Sequence, residues 1–259
     1  MNRTLTDDQI ALLRLLYRFR FGTTTSLNQL LSLNSRTSIN ARLETLLKRG
    51  YIGRRYEKSY KLLGKPATYY LLKESFPVLK DQKGISPVVL KNIYKDAQAT
   101  DKFVDACLGV LDLHNLLKAQ YGEGLKFFTK SDIANYSYFP KPLPDAFLAH
   151  KNEAQTKRFF ILAFESSIPA FALNRRLQQF IDYYEDGDWE VTNSDFPSML
   201  ILCETAVLQN RVEKHISRRY GIVNDDVVMA TTNWSILKSD TKKAWRLVGE
   251  DELLSLREL

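Results

Sequence analysis

Residues 34–72, NSRTSINARLETLLKRGYIGRRYEKSYKLLGKPATYYLL, decide the fold of the first third of the chain. Within them, apolar side chains recur at the spacing of the core-facing side of a helix, at Ile39, Leu43, Leu46 and Leu47. Asn34 or Ser35 is suited to cap the start of this helix, and Gly50 stands where a left-handed residue ends it. The stretch therefore predicts one amphipathic helix that begins near residue 35 and ends before Gly50.

The opposite face of this helix carries polar and basic groups that can reach DNA phosphates and base edges: Arg36, Thr37, Ser38, Asn40 and Arg42. Strand-like runs follow at residues 51–55 and 68–72, and a loop joins them. The first run and the loop contribute cations suited to the DNA backbone or the minor groove: Arg54, Arg55, Lys58, Lys61 and Lys65. A helix, a glycine, a strand, a basic loop and a strand form the outline of a recognition helix and its wing. The alternative is an ordinary helix and hairpin with a solvated basic face.

The residues before this stretch complete the pattern. Thr6 and Gln9 form a capping box at the start of a first helix, which we expect Gly22 to end. A second helix begins at residues 23–25, and only residues 34–35 separate it from the third. This spacing is that of a helix-turn-helix, and residues 1–86 are therefore predicted to form a winged-helix DNA-binding domain. Residues 73–87 are predicted to be the end of this domain and a connector.

The charge is unevenly distributed along the chain. The net charge is +7, but residues 1–95 contain 18 basic and 6 acidic side chains, a balance of +12. The remaining 19 basic and 24 acidic side chains give residues 96–259 a balance of −5. A basic first third indicates a polyanionic partner such as double-stranded DNA. No apolar run spans a bilayer, so we expect no membrane partner.

The two cysteines, Cys107 and Cys203, lie in separate apolar runs and have no CxxC spacing. This spacing supports neither a disulfide nor a metal site. The first residues, MNRTLTDDQ, do not resemble a signal peptide. We therefore expect a cytoplasmic protein.

Residues 87–259 predict a second domain of mixed α/β class. A mostly helical segment at residues 88–120, with a break near Thr100, precedes strand-like runs at residues 125–129, 145–150 and 158–165. A helix after Pro169, a buried strand at 197–203, a helix from Thr205 and a last strand at 227–231 follow, and then a charged tail. The predicted fold class is a winged helix-turn-helix followed by a mixed-sheet α/β domain. The order of elements in this second domain resembles that of restriction-endonuclease-like proteins.

Two carboxylates are candidates for chemistry in this second domain. Asp145 begins one strand and Glu165 ends its hairpin neighbour, which would place both at one end of the sheet. Paired carboxylates of this kind hold Mg²⁺ in sites that hydrolyse phosphodiesters. The order of elements and the pair Pro144-Asp145 match restriction-endonuclease-like nucleases, but Ser167 occupies the position of their lysine. An inactive nuclease-derived scaffold without a cofactor is the preferred interpretation. In an active site, Arg175 or Arg176, or else Gln178 or Gln179, would take the place of the lysine.

The chain resembles the replication-relaxation family in several motifs in the same order. These are LTDDQIALLRLLYRF, SLNQLLSLNSRTSINARLETLLKRGYIGRR, ATYYLLK, PLPDAFLA, FFILAFESS, RRLQQFIDYYEDGDW and DFPSMLIL. The resemblance implies a winged helix joined to a degenerate nuclease-like domain, with a role in plasmid replication and DNA relaxation.

The resulting hypothesis is a double-stranded-DNA-binding protein of plasmid or mobile-element replication. Its acidic second domain, residues 87–259, would assemble with a second copy or with a replication or relaxosome protein. One alternative is a metal-dependent nuclease or nickase that uses Asp145 and Glu165. Another is a transcriptional repressor with a dimerising C-terminal domain.

Overall fold

The computed structural model describes residues 4–32, 35–151, 155–220, 227–239 and 242–259. The chain folds into two compact units, Met1–Asn115 and Leu116–Leu259. Each unit has a hydrophobic core of its own.

The N-terminal unit is built from short helices and three strands. In chain order these are α1 (Asp7–Phe19), β1 (Phe21–Thr23), α2 (Thr24–Leu30), α3 (Arg36–Lys48), β2 (Ile52–Arg55), α4 (Lys58–Leu62), β3 (Thr68–Leu71), α5 (Phe76–Leu79) and α6 (Pro87–Asn92). The strands form an antiparallel sheet in the order β1-β3-β2. The predicted succession of three helices and a hairpin is present, and β1 adds a third strand beside β3.

Local sequence signals set the bounds of these helices. Thr6 and Gln9 form the predicted capping box at the start of α1. The Ser35 hydroxyl accepts a hydrogen bond from the Thr37 amide at 3.1 Å and caps α3. The alternative cap, Asn34, lies outside the described residues. Gly50 has the left-handed φ of 73° that the end of α3 requires.

The expectation that Gly22 ends the first helix is wrong. Helix α1 ends at Phe19, and Gly22 lies within β1. A glycine stands there because of close packing, since a Cβ at residue 22 would lie 2.8 Å from the Cγ of buried Leu27.

The expected loop between β2 and β3 contains the short helix α4. Tyr60, on α4, is buried, and its hydroxyl accepts a hydrogen bond from the Arg55 guanidinium. The Lys65 amide donates to the Tyr60 carbonyl at 2.8 Å, and Gly64 has a left-handed φ of 65°. This buried anchor and the turn after it fold part of the predicted loop into a helical turn.

The segment that follows β3 packs into the N-terminal core. Leu79, Leu90 and Ile93 are buried there, so residues 73–93 form more than a connector. The Arg20 guanidinium donates to buried Asp96, with Nε at 2.8 Å from Oδ2. Helix α7 (Asp101–Tyr121) begins after Thr100, near the predicted break. The contacts of residues 87–115 therefore lie with the N-terminal unit, while the functional division at residue 86 stays a prediction.

The C-terminal unit contains a mixed sheet. Its elements are β4 (Leu125–Thr129), α8 (Lys130–Ile133), β5 (Ala146–Lys151), β6 (Thr156–Phe164), α9 (Ala170–Glu185), β7 (Ser198–Cys203), α10 (Ala206–Tyr220), β8 (Met229–Asn233), α11 (Trp234–Leu237), β9 (Trp245–Leu247) and β10 (Leu253–Leu254). In the described residues the seven strands have the order β10-β9-β8-β7-β6-β5-β4. The predicted mixed α/β fold class is confirmed.

The predicted charged tail contains two further strands, which corrects the sequence-based expectation. Strand β9 pairs with β8, and β10 pairs with β9. Trp245 on β9 is fully buried, and burial of this large ring stabilises the position of β9 in the sheet.

The strand directions place four residues at the same end of this sheet. Strands β4, β5 and β6 are antiparallel, whereas β6, β7 and β8 are parallel. The ends of β4, β6 and β7 therefore meet the start of β5. Lys130, Asp145, Glu165 and Glu204 directly flank these strand ends.

Candidate nucleic-acid interface

One side of α3 is buried and its opposite side is exposed. Ile39, Leu43 and Leu46 are buried in the N-terminal core. Arg36, Thr37 and Asn40 are exposed, and they lie within the first turns of the helix. Residues 36, 37 and 40 share a helix surface because residues three and four apart are neighbours on a helix. The start of α3 thus presents a cation, a hydroxyl and an amide to solvent.

Two of the predicted α3 residues have partners within the unit, and Ser38 is half-buried. The Arg42 guanidinium lies 2.7 Å from the Asp8 carboxylate of α1. The Arg36 guanidinium donates to the Thr25 hydroxyl of α2 at 3.0 Å, a neutral partner that leaves its charge uncompensated. Arg36 is thus both oriented and available to an anion, while the charge of Arg42 is partly balanced.

The β2–β3 connection carries further exposed cations. Arg54 at the end of β2 is exposed, as are Lys58 and Lys61 on α4. The Lys61 ammonium lies 5.3 Å from the centre of the Tyr56 ring, within the range of a cation–π contact. These three side chains provide positive charge at the surface of the hairpin.

Arg55 and Lys65, predicted as DNA ligands, instead contact α7 and the segment that leads into it. Arg55 is 17% exposed and donates to the Ala99 carbonyl and the Asp101 carboxylate, each at 2.8 Å. Burial alone would lower the pKa of Arg55, but hydrogen bonds to Tyr60 and Asp101 raise it overall. Lys65 lies 3.0 Å from Asp105, and this hydrogen bond raises the pKa of Lys65. Both side chains attach the hairpin to the rest of the unit.

Both carboxylate oxygens of Asp145 are engaged. Oδ1 lies 2.5 Å from the Lys130 ammonium, and Oδ2 accepts a hydrogen bond from the Ala163 amide at 2.9 Å. Sequence reasoning missed Lys130. The register of β4 and β5 indicates this contact, because pairing Thr129 with Ala146 makes residue 130 a neighbour of residue 145.

Glu165 follows the end of β6, at some distance from Asp145 along the strand. The β5–β6 register pairs Ala146 with Ile161, so its extension places Asp145 opposite Leu162. Glu165 is three residues further on, roughly 10 Å along an extended chain. On the neighbouring strand, Glu204 accepts a hydrogen bond from the Ser166 amide at 2.6 Å, and this bond lowers the pKa of Glu204. Ser167 is exposed beside it.

The described residues at this end of the sheet, around Asp145 and Glu165, do not fit a Mg²⁺ site. No group of three His, Cys, Asp or Glu side chains in the described part of the chain is arranged to hold a metal. A cation at Asp145 would have to displace Lys130 from Oδ1. Arg176, a candidate substitute for the nuclease lysine, donates to the Pro142 and Leu143 carbonyls. Burial lowers the pKa of Arg176.

Helices of the described residues give no sign of a membrane span, since none is both long and apolar enough to cross a bilayer.

Neither a protein-family model nor a curated protein matches the chain. Among solved structures, it is similar to restriction endonuclease FokI bound to DNA, at 11% identity and a TM-score of 0.30. It is also similar to restriction endonuclease FokI in a second structure, at 13% identity and a TM-score of 0.31. Each match covers 91% of this chain and 45% of the other, so the chain spans less than half the length of these proteins. Similarity this low leaves function to be argued from the residues of the chain itself.

Proposed function

We propose that the N-terminal unit is a winged helix that binds double-stranded DNA. In this proposal α3 enters the major groove, and residues 56–67, which we call the wing, contact the backbone or the adjacent minor groove. The observation that carries the proposal is the exposed trio Arg36, Thr37 and Asn40 on α3, beside the buried stripe of the same helix. Arginine and asparagine are side chains that recognise guanine and adenine edges in the major groove.

The charge of the neighbouring elements also favours DNA binding. Arg54, Lys58 and Lys61 add three exposed cations on the strand and the wing that follow α3 in the chain. Such cations release condensed counterions when they neutralise phosphates, and this release gives affinity that falls steeply with salt. The acidic partners of Arg55 and Lys65 reduce what those two side chains contribute to binding.

The resemblance to the replication-relaxation family supplies the proposed biological context. The protein would act at a plasmid or mobile element during replication or DNA relaxation. Its acidic C-terminal unit would assemble with a second copy or with a replication or relaxosome protein. A transcriptional repressor with a dimerising C-terminal unit would use the same DNA-binding face.

The test is a titration of the full chain against labelled duplex DNA at several salt concentrations. Lys58→Ala/Lys61→Ala removes two exposed wing cations, so the slope of log affinity against log salt falls by up to about 1.8 on every sequence tested. The matched control is Lys80→Ala/Lys91→Ala, which removes two exposed lysines of the same unit outside α3 and the wing. Equal slopes for the wing variant and the wild type would exclude the wing as a phosphate contact.

One specific observation favours the nuclease alternative: the ion pair between Lys130 and Asp145. A basic group beside a carboxylate is one requirement for stabilising charge during phosphodiester cleavage. The donor set does not fit a metal, however, so we expect the purified protein to leave supercoiled plasmid intact with Mg²⁺ or Mn²⁺. Nicking by the wild type that Asp145→Ala abolishes would establish the nuclease instead.

A further inference from the structure

The tip of the wing exposes two adjacent leucines. Leu62 is 87% exposed and Leu63 is 71% exposed, at the end of α4 and directly after it. Single exposed apolar side chains are common on soluble proteins, but two long aliphatic side chains in sequence at the tip of a hairpin form a projecting apolar point. The next residue, Gly64, turns the chain back with its left-handed φ of 65°.

The backbone and side chains behind this tip are fixed. Tyr60 is buried beneath α4, and its hydroxyl lies 3.3 Å from both the Arg55 guanidinium and the Asp101 carboxylate. Lys65, on the far side of the tip, is held by Asp105. The leucines therefore project from an anchored support, which reduces the conformational entropy lost when they are inserted into a partner.

The charge beside the leucines specifies the kind of partner. Lys58 and Lys61 are exposed on the same short helix, and Arg54 is exposed on the strand that leads to it. An apolar point flanked by cations matches the minor groove, where phosphates line both sides and the stacked ring faces within a base step are apolar. Minor-groove proteins insert leucine and similar side chains between base steps, which unstacks the step and kinks the duplex.

We infer that Leu62 and Leu63 form a wedge that inserts between base steps in the minor groove and bends the bound DNA. This inference rests on the proposed DNA-binding function and adds a specific action of the wing. A wedge predicts preference for steps that are already weakly stacked, because less free energy is then spent on unstacking. The preferred DNA would therefore contain a flexible pyrimidine–purine step or a mismatch.

The experiment measures DNA bending and base unstacking with the full chain. The bend is followed by energy transfer between dyes at the two ends of a short duplex, and unstacking by 2-aminopurine beside a central mismatch. We expect the wild type to shorten the end-to-end distance, to raise the 2-aminopurine fluorescence and to prefer the mismatched duplex. In Leu62→Ala/Leu63→Ala all three responses are lost. The affinity falls only about tenfold, because the free energy lost with the burial of the leucines is partly offset by the unstacking that the variant no longer has to cause.

Two further variants separate a wedge from simple changes in charge or folding. Leu62→Met/Leu63→Met keeps the apolar volume and should retain bending. Leu62→Lys/Leu63→Lys adds phosphate contacts and should bind without bending. Val88→Ala, which shortens a side chain that is 68% exposed elsewhere in the unit, is the matched control and should behave as the wild type.

The outcomes distinguish the wedge from the DNA-binding function itself. Salt-dependent binding with identical bending and fluorescence in the wild type and the double alanine variant would overturn the wedge alone. Absence of any DNA binding by the wild type would overturn both proposals. Leucine-dependent binding to vesicles of anionic phospholipid, without a bend in DNA, would identify a lipid surface as the occupant and overturn the wedge.

Discussion

Arg54 and Arg55 are neighbours in the sequence, yet the structure gives them different environments. Arg54 is exposed at the end of β2. Arg55 hydrogen-bonds to Tyr60, the Ala99 carbonyl and Asp101. The same residue type is therefore free to meet a ligand at one position and is held by the fold at the next.

Alanine substitution should separate these two roles. We expect Arg54→Ala to weaken DNA binding and to leave the unfolding free energy within about 0.5 kcal/mol of the wild type, as is usual for an exposed site. Arg55→Ala should lower the unfolding free energy by about 1–3 kcal/mol, because the carbonyl and carboxylate at this site lose their donor. Urea denaturation and DNA titration of both variants provide the measurement. Equal loss of stability in the two would contradict this assignment.

Much of the candidate site was accessible from the sequence at this scale, and the rest depended on distant residues. The spacing of Ile39, Leu43 and Leu46 predicted which side of α3 faces solvent, and the structure confirms that side. The partners of Arg55 and Lys65 lie 46 and 40 residues further along the chain, so no local pattern indicates them. Lys130 also became visible only through the pairing of β4 with β5.

At the scale of elements, the buried ion pair between Arg20 and Asp96 joins the end of α1 to the turn before α7. Asp96 is 1% exposed. Burial raises the pKa of Asp96, and the hydrogen bond and charge of Arg20 oppose this increase. A folded-state pKa above the value of about 3.9 for an unfolded carboxyl means that the folded state binds more protons between the two values. The contribution of Asp96 to stability is therefore greatest below about pH 3.9 and is lost as the pH rises through its folded pKa.

Removing Arg20 should strengthen this pH dependence. Arg20→Ala leaves a buried carboxylate without its partner, and we expect it to cost about 3–5 kcal/mol near neutral pH. The cost should shrink toward about pH 4, where protonation neutralises the carboxylate. Urea denaturation of Arg20→Ala at both pH values gives the measurement, and Arg20→Ala/Asp96→Asn is the control without a titrating group. A penalty in Arg20→Ala that is independent of pH would show that Asp96 does not titrate in this range.

Short elements were the least predictable. Helix α4 spans only Lys58–Leu62, below the length at which helices are stable in isolation, and it depends on the burial of Tyr60. Strands β9 and β10 were likewise missed, because two or three residues have little periodicity and their pairing depends on β8. The long strand β6 and the capped helix α1 were predicted, since their signals are contained in their own residues.

At the scale of the whole molecule, each unit has a separate core and the basic charge belongs to the first third of the chain. We therefore expect calorimetry to resolve two unfolding transitions, each of which can be assigned by a core variant. Gly22→Ala should lower the transition of the N-terminal unit, because its added Cβ meets Leu27 at 2.8 Å. Leu177→Ala should lower the other transition, because it opens a cavity in the C-terminal core.

Duplex DNA should then raise only the transition that Gly22→Ala lowers. A ligand that binds the native state at about 100 times its Kd stabilises that state by about 2.7 kcal/mol, and this gain should shrink as salt weakens binding. The control is Lys58→Ala/Lys61→Ala, in which the shift caused by DNA should be smaller although the DNA-free transitions are unchanged. If DNA raised the transition assigned by Leu177→Ala instead, the C-terminal unit would be the DNA-binding unit, since a ligand stabilises the unit whose native state it binds.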